Sequence, residues 1–301
     1  MVDISVIIPC FNRQSTICKA IDSVLNQTFK GNVEIIVSDD GSCDNSVQIV
    51  KNTYAEKVKI ILKPYDCKEQ GASGARNRGL KVAKGKYISF LDSDDYYHCN
   101  YLQTLYEQIE KDAELGYVYC RVEQEIKEVR GTYFKPWTRK VMTPYDQKYH
   151  VLNRAHCICT ICQLIKKETI LKVGFFDTGL KVGEDSDMWI RISEKAKGMF
   201  VDFVGAVYCI EGFSNNQLTA TEASNKQSYG NTVYERAKKR YIENNFRDDI
   251  RLALIYQGLF LNKANQRSGF INRMKRQCYV FMNMFVRLPI ATIKVYLNNL
   301  Q

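Results

Sequence analysis

An α/β fold with a mostly parallel central sheet flanked by helices follows from three features of this sequence. Short β-branched runs alternate with helix-period segments through the first hundred residues. Two acidic clusters, Asp39-Asp40 and Asp92-Ser93-Asp94-Asp95, stand directly after strand-like runs. The first such run is followed by Pro9-Cys10-Phe11-Asn12-Arg13, a turn without glycine.

Residues 4–9 are a β-branched apolar run and predict a buried strand. Ser15 then reads as an N-cap, because Ile17, Ala20, Ile21, Val24 and Leu25 recur at helical spacing. Residues 33–38 predict a second buried strand, a helix follows from about Asp44, and residues 58–62 predict a third strand. Residues 71–82 have helix character, and 87–91 form a further strand ending in acids. This β-α-β-α-β order implies helices on both faces of the sheet. Beyond it, 100–113 reads as helix, 117–124 as strand, 130–150 as a Pro/Lys/Tyr-rich loop, and the chain past Ala223 as polar and helical.

In sheets of this kind ligands sit at the carboxyl ends of the strands. A dinucleotide-binding dehydrogenase would place G-x-G-x-x-G after its first strand, and its absence excludes that class. Carboxylates holding a divalent ion replace the glycine-rich phosphate cradle. Asp92-Ser93-Asp94 is a D-x-D triplet. A hard cation bridging two phosphates needs oxygen ligands and open positions for the phosphate oxygens, and it would neutralise charge developing on a leaving diphosphate.

Four segments together resemble the family 2 glycosyltransferases of the GT-A fold: SVIIPCFNR (5–13), IIVSDDGSCDNS (35–46), GASGARNRGL (71–80) and FLDSDD (90–95). A fifth, KVGEDSDMWIRI (181–192), is similar to the family's acidic catalytic segment. The resemblance implies a GT-A type nucleotide-sugar-binding fold and an inverting, metal-dependent transfer from a nucleotide diphosphate donor, UDP being the commonest nucleotide among such relatives. It implies a glycan or lipid-linked glycan acceptor in cell-surface polysaccharide synthesis, and Mn2+ or Mg2+ as cofactor. Position by position, Pro9, Phe11 and Asp40 match residues that hold the nucleobase, with Asp39 the neighbouring alternative or a turn cap. Arg76 falls where relatives contact nucleotide. Asp92 matches the ribose-side acid and Asp94 the metal ligand, while Asp95 reads as a cap for the following helix.

Asp185 matches the catalytic base, with Glu184 and Asp187 as runners-up. An ordinary Asp, with a pKa of about 3.9, is too weak to ionise an alcohol in advance, so its proton transfer must accompany bond formation. Trp189 reads either as support for the acceptor site or as core. One departure is visible: Tyr208-Cys209-Ile210-Glu211 carries Glu where relatives often carry His. A non-catalytic sugar-nucleotide-binding or membrane-surface scaffold on the same fold is the alternative reading.

The net charge of +10 resides in the last quarter of the chain, where residues 226–301 hold 14 basic and 4 acidic side chains. The expected division is therefore a catalytic domain over 1–222, with a nucleotide-binding half to about 100 and an acceptor half over 101–222, and a basic helical region over 223–301. That region can be a solvated surface, helices packed on the catalytic domain, or an anchor on an anionic membrane. The aromatic, Met-rich run at 278–297 favours the anchor. No nucleic-acid module accompanies the charge. Neither a signal peptide nor about 18 uninterrupted apolar residues is evident, and the eleven cysteines are scattered. A cytoplasmic protein, peripheral on the inner face of the plasma membrane, is the expectation. His156, Cys157, Cys159 and Cys162 are read as buried residues of a core strand rather than zinc ligands.

Overall fold

The computed structural model describes residues 2–128, 131–136, 159–180 and 182–211, with 232, 233, 236, 239 and 240 beyond them. Strand β1 (Ile4–Cys10) is buried along its whole length, because its continuous apolar run lies in a parallel sheet covered on both faces. Helix α1 (Ile17–Leu25) buries Ile17, Ala20, Ile21 and Val24 as one stripe in the same hydrophobic core. Strand β2 (Val33–Asp39), helix α2 (Ser46–Tyr54) and strand β3 (Val58–Leu62) extend the sheet outward. Helix α3 (Gly71–Val82) then returns the chain to β4 (Tyr87–Phe90) on the other side of β1.

Both neighbours of β1 run parallel to it, with Cys10 opposite Asp39 and Ile7 opposite Phe90. The winding therefore reverses at β1, and the crevice at such a switch point opens at the carboxyl ends of the strands. Both acidic clusters leave the sheet on that edge. Close contact between α3 and β1 depends on Gly79, where a Cβ would lie 2.5 Å from Ile7 Cγ2.

The later elements complete a nine-stranded sheet among the described residues. They are β5 (Tyr96–Tyr97), α4 (Tyr101–Lys111), β6 (Leu115–Glu128), β7 (Gly131–Pro136), β8 (Gln163–Lys166), α5 (Lys167–Val173), α6 (Glu184–Lys195) and β9 (Lys197–Glu211). Here β8 is antiparallel to β4 and β6, and β5 is antiparallel to β9, while β6 and β9 are parallel. The sheet is thus parallel through β1–β4 and mixed afterwards.

Four local expectations change. Helix α1 starts after Thr16 rather than Ser15, and no side chain caps it. Residues 131–136 form a strand paired with β6 instead of loop; 137–150 lie outside the described residues. Thr160–Cys162 is a 3-10 turn, and the strand begins only at Gln163. Cys162 is buried there and Cys159 half-buried, both as free thiols, whereas His156 and Cys157 lie outside the described residues. Finally, Asp95 does not cap α4, whose N-cap is Asn100.

Trp189 of α6 is a core residue, 1% exposed. Its ring meets Phe176 edge-on at 5.8 Å between centroids, and Phe176 meets Phe90 at 5.2 Å. This cluster fastens the segment before α6 to the end of β4.

Candidate active site

The loops after β1 and β2 leave the sheet side by side, and they are tied together by hydrogen bonds. Asn12, at φ 53, accepts a hydrogen bond from the Cys43 amide at 2.9 Å, and its own amide donates to Ser42 Oγ at 2.9 Å. The Arg13 amide donates to Ser46 Oγ at 2.7 Å. The carboxylate of Asp39 is wholly engaged in this turn: Oδ2 accepts from the Gly41 and Ser42 amides at 2.9 and 3.0 Å, and Oδ1 from the Ser42 hydroxyl at 2.5 Å. Asp40 faces the other way. Its Oδ1 accepts from Arg78 Nη2 at 2.7 Å and its Oδ2 from the amide of Gly71, the first residue of α3, also at 2.7 Å. Pro9 is buried within β1, whereas Phe11, just past the end of β1, is 52% exposed.

Helix α3 distributes the charge. Successive helical residues are rotated by about 100°, so Arg76, Asn77 and Arg78, all buried, reach three different structures. Arg78 holds Asp40. Asn77 exchanges two hydrogen bonds of 2.9 Å with the Phe176 backbone, Nδ2 to the carbonyl and Oδ1 from the amide. Arg76 donates to Asp92 Oδ1 at 2.7 Å and to Glu184 Oε1 at 3.0 Å. A single guanidinium thereby ties the D-x-D turn to the start of α6.

Asp92 and Asp94 stand side by side beyond β4, with Arg13 Nη2 3.4 Å from Asp94 Oδ2. Burial, then the charge of Asp92, raises the Asp94 carboxyl above the ordinary range, against the pull of Arg13. Asp95 is 1% exposed and accepts the Cys209 amide of β9 at 2.8 Å, so it joins the D-x-D turn to the last strand. Among the described residues no three His, Cys, Asp or Glu side chains converge as a metal cluster. The Asp92–Asp94 pair nonetheless fits a hard divalent ion. A cation would relieve the repulsion that raises Asp94, and two carboxylates leave coordination positions for phosphate oxygens.

Across the crevice, Gly183 occupies the left-handed region at φ 83 as the N-cap of α6, a conformation that favours glycine. Glu184, Asp185 and Asp187 fill the first turn, where the helix dipole favours acids. Asp185 is half-buried, and its Oδ1 accepts the Ser186 amide at 2.6 Å. Burial raises its carboxyl above the usual aspartate range, and the nearby charge of Arg76 opposes that rise. Glu184 is raised as well, because burial and Asp185 outweigh the arginine it binds. Asp187 points into the protein, where Arg191 Nε donates to its Oδ2 at 2.8 Å.

Of the residues singled out in the sequence, Phe11, Asp40, Asp92 and Asp94 lie on the loops that follow β1, β2 and β4. Asp185 lies in the first turn of α6, beside the Glu184 that Arg76 joins to Asp92. Two arginines there were not anticipated. Arg78, rather than Arg76, meets Asp40, and Arg13 meets Asp94. The A-R-N-R-G segment carried the signal for Arg78, but only the helix rotation tells which arginine faces which acid. The backbone of Glu211 ends the β6–β9 ladder opposite Lys127; its side chain lies outside the described residues, as does the run at 278–297.

A model of the family described as Glycosyl transferase family 2 matches residues 5–174. The chain belongs to this family. Its family 2 relatives include an uncharacterized glycosyltransferase of Rickettsia typhi, 35% identical over 192 residues, covering 62% of this chain and 58% of that protein. The match thus spans well under two thirds of the relative. The Escherichia coli protein WfaP, named as a UDP-Glc:alpha-D-GlcNAc-diphosphoundecaprenol beta-1,3-glucosyltransferase, is 47% identical over 94 residues, 31% of this chain and 36% of its own. Among solved structures, Staphylococcus aureus TarS 1-349 in complex with UDP-GlcNAc superposes with a TM-score of 0.64 at 17% identity, covering 97% of this chain and 83% of that one. At that identity the likeness speaks to the fold, which is the GT-A type that the strand order also describes.

Proposed function

We propose that this chain is an inverting hexosyl- or N-acetylhexosaminyl-transferase that moves a sugar from a UDP-sugar to a hydroxyl of a lipid-linked glycan during cell-surface polysaccharide synthesis. The observation that carries this reading is the guanidinium of Arg76, which joins Asp92 of the Asp92-Ser93-Asp94 turn to Glu184, the neighbour of Asp185, whose carboxyl burial raises. The relative named for a diphosphoundecaprenol acceptor supports the acceptor class, and the structural neighbour holding UDP-GlcNAc supports the donor class.

In this reading Phe11 stacks on the base, with Pro9 beneath it and Asp40 and Arg78 at its polar edge; Asp39 shapes the turn that presents Asp40. Asp92 faces the ribose, and Asp94 with Asp92 holds Mn2+ or Mg2+. The ion, when bound, supplies a positive charge to the diphosphate. Asp185 accepts the acceptor proton as the acceptor oxygen bonds to the anomeric carbon and the bond to the diphosphate breaks on the opposite face. Proton transfer runs in step with bond formation, and a carboxyl raised above ordinary aspartate is the better base for it.

Residues 1–222 would form the catalytic domain, and 223–301 the basic region that meets an anionic membrane surface. Among the described residues no helix is long and apolar enough to cross a membrane. A peripheral site at the inner face of the membrane suits an acceptor held by a lipid.

Calorimetric titration of UDP and GDP, with and without Mn2+, tests the donor site, repeated on Asp94→Ala. Metal-dependent UDP binding that is lost in the variant is the expected outcome. Absence of binding by folded protein would falsify the donor-site assignment and leave a scaffold role.

A further inference from the structure

Six charged groups behind α6 remain after the site is accounted for, and they join that helix to the basic C-terminal region. The Glu194 side chain is 4% exposed, yet it is an acid. Arg240 Nε lies 2.9 Å from its Oε2 and 3.1 Å from its Oε1. Another nitrogen of the same guanidinium, Nη1, lies 3.6 Å from Asp187 Oδ1. Asp187 is also 4% exposed at its side chain, and its Oδ2 is taken by Arg191. Arg191 donates in turn to the carbonyls of Val173 and Phe175. Arg236 pairs with Asp177 in the segment that leads into α6.

The packing agrees with the charges. Val233 is 5% exposed and belongs to the core, and its Cγ2 would lie 3.5 Å from a Cβ placed on Gly183. Gly183 is the N-cap of α6 and stands two residues before Asp185. Val233 therefore lies against α6 at its N-cap, and Arg240 reaches its first turn through Asp187 and its last turn through Glu194.

From this we propose that Arg240 is a positioning residue for transfer: by bridging Asp187 and Glu194, it fixes the axial placement and rotation of the helix that presents Asp185. The proposal rests on Asp185 as the base. A buried acid left without its cation draws in water or takes a proton, and either response moves the helix. Displacement of a general base by an ångström or less is enough to reduce its contribution strongly. The basic surplus of the C-terminal region is thus partly internal. Arg240 neutralises two buried acids of the catalytic body, and Arg236 pairs with the partly exposed Asp177.

The test uses the full chain with Arg240→Gln, Arg240→Lys and the double variant Arg240→Gln/Glu194→Gln. Transfer kinetics, UDP affinity and hydrogen exchange at residues 184–190 are measured on each. Arg240→Gln is expected to lower kcat about tenfold, leave the UDP dissociation constant within twofold, and speed exchange in the first turns of α6. The double variant removes the orphaned acid and should recover part of kcat. Lysine keeps the charge but cannot span both acids, so Arg240→Lys should lose kcat by an intermediate factor.

Wild-type kcat and wild-type exchange in folded Arg240→Gln would overturn the proposal. Should that variant not fold, Arg240→Lys takes its place, and unchanged kcat with unchanged exchange in the lysine variant overturns it equally. A wild-type protein without transfer activity would instead sink the functional reading, while exchange at α6 would still decide whether Arg240 holds the helix.

Discussion

Arg76 donates from Nη2 to Asp92 Oδ1 at 2.7 Å with its side chain only 5% exposed. Its other terminal nitrogen holds Glu184, so the pair with Asp92 fixes the spacing between the D-x-D turn and the start of α6. A fork of two donors is needed for this, and a lysine ammonium cannot supply it. Arg76→Lys is expected to fold and to lose about 10- to 100-fold in kcat/KM, the range for displaced catalytic groups. Arg76→Met leaves the half-buried Asp92 and Glu184 without their cation and should cost about 1–3 kcal/mol in denaturant unfolding. An unchanged unfolding midpoint for the Met variant would sink the role assigned to this contact.

The pH dependence of transfer follows from Asp185. Burial raises its carboxyl, and Arg76 restrains the rise. A base works only when ionised, so activity is lost as pH falls through the raised value. The acid limb of kcat/KM should therefore lie above the ordinary aspartate pKa of about 3.9. Replacing Arg76 with Gln removes the restraining charge and should move that limb to still higher pH. A limb that stays in place would show that a group outside the field of Arg76 controls the rate.

Most of the scaffold was legible in the sequence because β1, β2 and β4 are continuous apolar runs, and such runs are strands buried on both faces. The acids at their ends were legible for the same reason, since parallel strands deliver their carboxyl ends to one edge. Pairings across long sequence distances were not. Asp95 reads locally as a helix cap, yet its partner is the Cys209 amide, 114 positions away. Arg76 and Arg78 are two residues apart and chemically identical. Their assignment to Asp92 and Asp40 depends on how α3 is rotated against β1, which the close contact of Gly79 with Ile7 sets. The strand at 131–136 is exposed at every position, so no burial pattern announced it, and only its ladder with β6 defines it.

Asn77 supplies a stability test that is separate from chemistry. Its side-chain amide satisfies both the carbonyl and the amide of Phe176, in a buried setting. Asn77→Leu removes both partners and orphans two backbone groups at once. An unsatisfied buried group costs about 1–3 kcal/mol, so a loss of about 2–5 kcal/mol is expected by urea unfolding, with the m-value unchanged. A loss below about 0.5 kcal/mol would mean that water or a neighbour replaces the amide.

Phe11 gives the complementary case, a residue whose loss should touch binding and spare the fold. Its ring is 52% exposed at the carboxyl end of β1, so truncation removes little packing. Stacking of a base on an aromatic ring contributes about 1–3 kcal/mol, and 1.4 kcal/mol corresponds to about tenfold in affinity. Phe11→Ala should therefore weaken UDP binding by about 5- to 150-fold, with thermal stability within about a degree of the parent. Phe11→Tyr keeps a stacking face and should bind nearly as the parent does. A calorimetric titration separates the outcomes. Equal affinity in the Ala variant would take the nucleobase away from this ring and reopen where the donor enters the crevice.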